Sequence, residues 1–576
     1  MIIAPHVRGQ LLAISDSKLG GGDFAKLASF PGHFKWAERN CAFRPTGANI
    51  EHVLKHWPNA QWIGGTDSIR EDYLSQQKVA QETSAEKIKP SRKINDSDYK
   101  YFRRPMEHQR RAFALSRDRE TFGLFMEQGT GKTKVILDTA QWLFQNGKIN
   151  CLVVVAWPNG VHRNWIDFEI PLDVHKPYYA EFWSRNWKSS HRQIALNKFL
   201  CAPNSCFKIF CMSVESLTSK GARDFLLKVL TNHKCLFTID QSASIKNPNA
   251  KRTKFLINKC SELAPYRRVM DGQPVAEGAS ELFSQFKFLD PWIIGHDTWT
   301  GFKAEYCKIG FFNEIIGYKN MEQLRQKIDG HSFRVRETEC LDLPPRIYKQ
   351  WSFDLKLDEY RIYDELKTMS ITAFFKTDMP YNEDCEHTLE EHNALVKNMR
   401  LQQISSGWWP KDKLIPIASP PSRLEALINL IESIKGQKAL IFARFRADLA
   451  LLQKHFGELA VSYHGGVSEE NRRTAKVKFQ KDYRTLYFLG QPRSAGLGHT
   501  LTAARHVIFY SNDHSLRLRE ECEKRAHRQG LKHRLMIWDL IAARTHDINI
   551  VRAFRAKKEL ANEILADPDN FFLNYD

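Results

Sequence analysis

Between Phe122 and Leu143 the chain reads FGLFMEQGTGKTKVILDTAQWL. A turn carrying Gly129, Thr130 and Gly131, followed at once by Lys132 and Thr133, suits phosphate chemistry. Backbone N–H groups from Gly129 to Thr133 can converge on anionic oxygens, Lys132 can reach the outer phosphates of a nucleotide, and the Thr133 hydroxyl can hold Mg2+. The first glycine of the full eight-residue pattern is Met126 here, so a glycine turn that serves packing alone stays open as the alternative. Asp240 follows the apolar run Leu236 to Ile239, where a carboxylate can bind the Mg2+ held opposite by Thr133. A strand-end cap is its plainer reading. The next residue is Gln241, where a carboxylate would polarise an attacking water; an amide cannot accept that proton. Far downstream, RAHRQG offers Arg525 and Arg528 three residues apart. On a helix both guanidiniums would face one side and could neutralise charge on a transferring γ-phosphoryl group; the alternative is a solvated basic helix.

These residues need elements to hold them. Phe122 to Met126 reads as a buried parallel strand, and from Lys132 the apolar residues Val135, Ile136, Ala140 and Leu143 recur at helical spacing. Further strands are expected at Cys151 to Ala156, Phe207 to Met212, Leu236 to Ile239 and Arg268 to Met270. A second series is expected at Ala439 to Phe442, Ala460 to Tyr463, Thr485 to Leu489, His506 to Tyr510 and Leu535 to Leu540. Helical patterns lie between several of them, which means parallel sheets covered on both faces, with ligands beyond the carboxyl ends of the strands. The expected fold class is α/β: two RecA-like parallel-sheet lobes with helical insertions and a small N-terminal domain.

The organisation expected around the lobes is as follows. Residues 1–75 form a small module in which Phe30, Phe34, Trp36, Phe43, Trp57 and Trp62 alternate with basic residues, either stacking on bases or forming a core. The polar stretch 76–98 reads as a linker. Lobe 1 covers 99–290, a helical insertion 291–414, a proline-containing connector 415–423, and lobe 2 the remainder to 576.

The 576 residues carry 85 Lys and Arg against 66 Asp and Glu, a net charge of +19. The resulting pI of about 9.3 favours a polyanionic partner, nucleic acid first. Eleven cysteines are scattered without zinc-ligand spacing, so no structural zinc and a reducing compartment are expected. No run of about 18 apolar residues and no secretory leader is found, which argues against a membrane and for a soluble, cytoplasmic protein. A bacterial or phage-infected cell is the favoured setting.

The motifs PMEHQRRA (Pro105 to Ala112), MEQGTGKT, AWPNGVHRNW (Ala156 to Trp165), IDQSASIKN (Ile239 to Asn247), DGQPVAEG (Asp271 to Gly278), SAGLGHTLTAA (Ser494 to Ala504) and KRAHRQG occur in one order. That order resembles the serial motifs of Swi/Snf-type DNA translocases in helicase superfamily two, over roughly residues 100–560. The resemblance implies an ATP-dependent translocase or remodeller of double-stranded DNA, with ATP and Mg2+ as cofactors. It implies adenine reading by Gln109, phosphate and Mg2+ contacts by Lys132 and Thr133, the Mg2+-side acid at Asp240, and second-lobe arginines at Arg525 and Arg528. It also implies contacts with the DNA backbone through Asn159, His162, Arg163, Asn164 and Trp165, through Ser213, and through the loop bearing Gly496, Gly498 and Thr500. Backbone contacts suit a motor that steps along any sequence. The first 75 residues, from Phe43 especially, look like the module that precedes the motor in annealing helicases, which adds branched DNA as a partner. A monomer is expected, and protein partners are left undetermined. The chain departs from the family pattern at Gln241, where the family has Glu, and at Asp271 and Gln273 in place of Thr-Gly-Thr-Pro threonines. An ATP-gated DNA-binding protein without turnover and a non-enzymatic interaction scaffold are the competing readings.

Overall fold

The run Cys151–Ala156, CLVVVA, offers water no polar side chain, and it forms a strand buried along its whole length. β-Branched runs of this kind belong to parallel sheets covered on both faces. The computed structural model describes residues 1–5, 11–14, 34–37, 40–43, 47–88, 94, 96–157, 165–175, 177–184, 186–275, 278–311, 313–368, 386–409, 415–495 and 501–564. The chain divides into two compact units whose main parts are Met1–Cys340 and Leu341–Leu560.

The first unit holds seven parallel strands: β1 (Thr121–Met126), β2 (Cys151–Ala156), β3 (Tyr178–Phe182), β4 (Phe207–Ser213), β5 (Cys235–Asp240), β6 (Tyr266–Met270) and β7 (Ser332–Val335). Their order is β7-β1-β6-β5-β2-β4-β3. Helix α1 (Glu107–Ser116) precedes β1, and α2 (Lys132–Gln145) follows it. The core formed on α2 includes Val135, Ile136, Leu137, Ala140 and Leu143, packed with Phe113, Phe122, Leu152 and Val154. Helix α3 (Glu281–Leu289) follows β6 and is also almost wholly buried.

The second unit holds six parallel strands: β8 (Arg346–Phe353), β9 (Ala439–Phe442), β10 (Ala460–Tyr463), β11 (Tyr487–Gly490), β12 (His506–Phe509) and β13 (Leu535–Ala542), in the order β8-β13-β12-β9-β11-β10. Helix α4 (Leu516–Ala526) lies between β12 and β13. The fold class is therefore as expected, two parallel-sheet α/β lobes.

The N-terminal segment forms its own five-stranded sheet in the order Phe34–Ala37, Asn40–Phe43, Leu11–Ile14, Ile2–Pro5 and Gln61–Trp62, antiparallel except for the last pair. Its core joins Ile3, Leu11, Ala13, Ile50, Val53, Trp62 and Tyr73, so Trp62 packs in the interior and does not stack on a base. Phe30 and the side chains of Phe34, Trp36 and Phe43 lie outside the described residues.

Three expectations about organisation are corrected. Asp67–Ile88 is one helix, so the stretch taken as a linker from 76 is helical over its first half. It lacks an apolar stripe, but Arg119 donates to Val79 O at 3.2 Å and Thr83 Oγ1 at 2.7 Å, and Ala80 abuts Gly330, which fastens it to the first unit. Residues 291–414 are not one insertion: β7 completes the first sheet and β8 opens the second. The division falls between Cys340 and Leu341, and the stretch 415–423 lies inside the second unit, where Ile415–Pro416 pairs with Trp408–Trp409.

Candidate nucleotide site

β1, β6 and β5 are neighbours, with Met270 of β6 registered against both Leu124 of β1 and Asp240 of β5. The sequence therefore brings the turn after β1 and the acid ending β5 to one edge of the sheet. At that turn Gly129 and Gly131 adopt φ of 89° and 86°, the left-handed region that L side chains rarely enter. Gly131 is the N-cap of α2. The turn is pinned from three sides: Thr130 Oγ1 donates to Glu127 O at 2.7 Å, Gln109 Nε2 donates to Thr130 O at 2.9 Å, and His108 Nε2 meets that same carbonyl at 2.7 Å. Glu127 Oε2 in turn accepts from Glu337 N at 3.0 Å, beyond the end of β7. A Cβ on Gly131 would sit 2.2 Å from Gln109 Nε2, so a larger residue there would also displace the end of the Gln109 side chain.

Lys132 curls back over this turn and donates from Nζ to Met126 O at 2.7 Å and Glu127 O at 3.2 Å. Those carbonyl oxygens occupy its donors as anionic phosphate oxygens would. Thr133 is half-buried in the first turn of α2. Asp240 is 8% exposed. Burial, and secondarily the charge of Asp271, push its pKa up; the Trp165 indole and the nearby Lys132 ammonium oppose them. The carboxylate of Asp240 and the hydroxyl of Thr133 are oxygen donors, the kind that a hard divalent cation such as Mg2+ takes.

Gln241 stands at φ 56°, a left-handed conformation for a residue other than glycine, and its Oε1 is shielded from solvent with no hydrogen-bond partner among the described residues. Strain of this kind needs surroundings that fix it. Asp271 provides them: its carboxylate accepts from Ala243 N at 2.8 Å and from Gln273 N at 2.9 Å, clamping the turn after β5 to the turn after β6. Ser242 Oγ adds a bond to Gln285 of α3 at 2.5 Å, and Gln285 Nε2 reaches Pro274 O at 2.8 Å. Asp271, visible in the sequence only as a departure from a pattern, is thus a connecting acid.

Trp165 requires a correction. Expected against DNA, its side chain is 2% exposed, and its indole Nε1 donates to Asp240 Oδ2 at 3.0 Å. An indole so enclosed has no face left for a phosphate backbone. Ser213 is also buried, and its hydroxyl caps the short helix Val214–Thr218 by accepting from Glu215 N at 3.3 Å. Asn159, His162, Arg163, Asn164, Gly496, Gly498 and Thr500 lie outside the described residues.

In the second unit Arg525 and Arg528 do not share a helix face, because α4 ends at Ala526 and Arg528 lies in the turn beyond. Arg525 is fully buried, and burial with the neighbouring Arg528 charge pushes its pKa down to about 9. Its backbone carbonyl accepts from Leu501 N at 2.8 Å, tying α4 to the start of the segment after 500. Helix α4 is held by Arg519, which is bonded to Asp539 at the core of β13 and stacks 3.8 Å over the Phe509 ring. His108, Glu127 and Asp271 are residues of this region to which the sequence reading gave no role; the adjacency of His108 to Gln109 and the departure at Asp271 were the signals that could have pointed to two of them.

Comparison with known proteins places residues 422–530 in the helicase conserved C-terminal domain family. The chain is 27% identical over 357 residues to "Putative ATP-dependent helicase/translocase YwqA" of Bacillus subtilis, covering 59% of this chain and 36% of that one. It is 24% identical over 407 residues to "Uncharacterized ATP-dependent helicase MG018" of Mycoplasma genitalium, covering 67% and 37%. A shorter stretch of 152 residues is 30% identical to Helicase SWR1 of Saccharomyces cerevisiae, covering 26% and 10%. The chain thus spans little more than a third of the two bacterial relatives. Among solved structures, a Sulfolobus solfataricus SWI2/SNF2 ATPase core in complex with dsDNA aligns with a TM-score of 0.38 at 19% identity, covering 83% of this chain and 96% of that one. Among the described residues no helix is long and apolar enough to cross a membrane. The match to the helicase conserved C-terminal domain thus lies within the second unit, and the named helicase relatives are similar to this chain over part of their length.

Proposed function

We propose that the chain is an ATP-dependent translocase or remodeller of double-stranded DNA in which Gln241 weakens hydrolysis. The observation that carries this reading is the strand order β1-β6-β5, which sets the Lys132 turn and the Asp240 carboxylate at one sheet edge, close enough for the ammonium to stabilise the ionised acid. ATP phosphates would replace the carbonyls of Met126 and Glu127 on Lys132 Nζ and take up the N–H groups of Gly129 to Thr133. Thr133 and Asp240 would hold Mg2+, which when bound supplies charge compensation on the phosphate oxygens. Gln109 would read the adenine after leaving Thr130 O. The same reading gives Arg525 and Arg528 the task of compensating charge on the transferring phosphoryl group. The net charge of +19 supports a duplex DNA track, and branched DNA if the N-terminal module acts as in annealing helicases. The cell compartment consistent with this is the cytoplasm, and the working unit a monomer.

A second reading has its own observation. Gln241 carries an amide, which cannot take a proton from water, and its Oε1 is shielded and unbonded among the described residues, which favours an ATP-gated DNA clamp without turnover. One assay separates the readings: phosphate release with and without duplex DNA, for this chain and for Gln241→Glu. A translocase is expected to release phosphate slowly with DNA stimulation, and the Glu variant about 10²- to 10⁴-fold faster. A clamp shows nucleotide-dependent DNA affinity and no release. If both proteins are inert on duplexes, forks and single strands, and neither changes DNA affinity with ATP, the interaction scaffold replaces both readings.

A further inference from the structure

We infer that Trp165 is a positioning residue for the Asp240 carboxylate, and that Trp165–Asp173 is a strut joining that carboxylate to the phosphate-binding helix α2. The inference deepens the ATP·Mg2+ reading and rests on it. Two bonds at opposite ends of one short segment carry it. At its start, the enclosed Trp165 indole donates to Asp240 Oδ2 at 3.0 Å. At its end, Asp173 is wholly buried and accepts Arg103 Nε and Nη2 at 2.8 and 2.7 Å. Lys134 Nζ of α2 lies 3.4 Å from the same carboxylate, and Gln141 Nε2 of α2 donates to Asp173 O at 3.0 Å. Lys134 is also bonded to Asp138 at 3.0 Å, one helical turn on. A displacement of α2, and with it Lys132 and Thr133, is therefore transmitted through this segment to the acid ending β5.

The chemistry of the donor matters as much as its place. An indole N–H is a neutral donor with no acceptor capacity, so it orients a carboxylate without cancelling its charge. A lysine or arginine there would compete with a divalent cation for the same oxygens. A neutral donor on Oδ2 leaves the ionic charge of Asp240 available to the metal while denying the side chain rotation about its last bond. The indole thus acts through Asp240, in the manner of outer partners that orient metal ligands.

The test is equilibrium binding of a fluorescent ATP analogue as a function of Mg2+ concentration, for the full chain and for Trp165→Phe. Phe keeps a buried ring and removes the donor. The expected result is a Mg2+ half-saturation raised roughly 10-fold or more, with analogue affinity in EDTA changed less than about 2-fold. Trp165→His, which can present a ring N–H, is expected to recover part of the Mg2+ response. A merely structural role for Trp165 would weaken binding equally with and without Mg2+. That result, or a Mg2+ response identical to that of the unaltered chain, overturns the inference. Should the Phe variant fail to fold, Asp173→Asn loosens the far end of the strut and is expected to raise the same half-saturation; an unchanged value in a folded Asn variant likewise overturns it. If the unaltered chain binds no analogue at any Mg2+ concentration, the ATP reading itself fails, an outcome distinct from both.

Discussion

Gly131 shows how little freedom the turn after β1 has. Its φ of 86° would cost an alanine about 1–2 kcal/mol, and the added Cβ would meet Gln109 Nε2 at 2.2 Å. Gln109 would have to give up its place beside the turn, the place from which the proposed reading has it reach the base. Gly131→Ala is therefore expected to lower stability by about 1–3 kcal/mol and ATP-analogue affinity by about 10-fold or more, read by denaturant unfolding and by equilibrium binding. Unchanged affinity in a folded variant would remove this turn from the nucleotide site. The placing of the glycine turn and of Asp240 at strand ends was legible because each follows a short apolar run. Trp165 was not. Its partner lies 75 positions away, and nothing local separates an indole that holds a carboxylate from one that faces a phosphate. Arg525 and Arg528 were legible as a pair but not as a geometry, because the helix stops one residue after the first of them.

At the scale of elements, α1 carries Gln109 and must be aimed at the turn it pins. Arg268 of β6 does this from the far end. Fully buried, its guanidinium donates to Ser116 O at 2.6 Å, Arg119 O at 2.7 Å and Glu120 O at 2.9 Å, the last carbonyls of α1 and of the bend into β1. A cation there satisfies acceptors that the helix cannot and opposes the negative end of its dipole. Burial pulls the arginine's pKa down to about 9. Arg268→Met fills similar space and orphans those carbonyls, so a loss of about 3 kcal/mol or more is expected in chemical denaturation, with weaker nucleotide binding as α1 shifts. A loss below about 1 kcal/mol would show that water or neighbouring groups serve the carbonyls as well. The buried central strands were readable from their apolar runs. β3, β7 and β8 were not, since each is an edge strand of its sheet and carries polar residues: Ser332 and Arg334 in β7, and residues half-buried or exposed all along β8. The helix Asp67–Ile88 escaped for a related reason: Tyr73 joins the N-terminal core, and the rest is held by Arg119 and by the close approach of Ala80 to Gly330.

At the scale of the whole molecule, the two parallel sheets were foreseeable while the boundary between the units was not. Composition drew attention to the prolines at 416, 420 and 421, yet the chain passes from one unit to the next beside Pro344 and Pro345, immediately before β8. What the whole chain contributes to function is charge. An excess of 19 basic residues suits a track of phosphates, and contacts of that kind release counterions, so the logarithm of affinity for duplex DNA should fall linearly with the logarithm of salt concentration. For about 6–10 phosphate contacts the expected loss between 50 and 200 mM salt is on the order of 10³- to 10⁵-fold. The slope should be the same for duplexes of unrelated sequence, since the backbone carries no base identity. It should also persist in Lys132→Ala, which removes the proposed nucleotide contact from the turn after β1 but none of the charge elsewhere, while any change of DNA affinity on adding ATP should vanish in that variant. A salt slope near zero would mean that the basic surface meets no phosphate backbone, and it would move the argument toward a protein partner; a steep slope that ATP modulates only when Lys132 is present would tie the nucleotide site and the DNA grip into one machine.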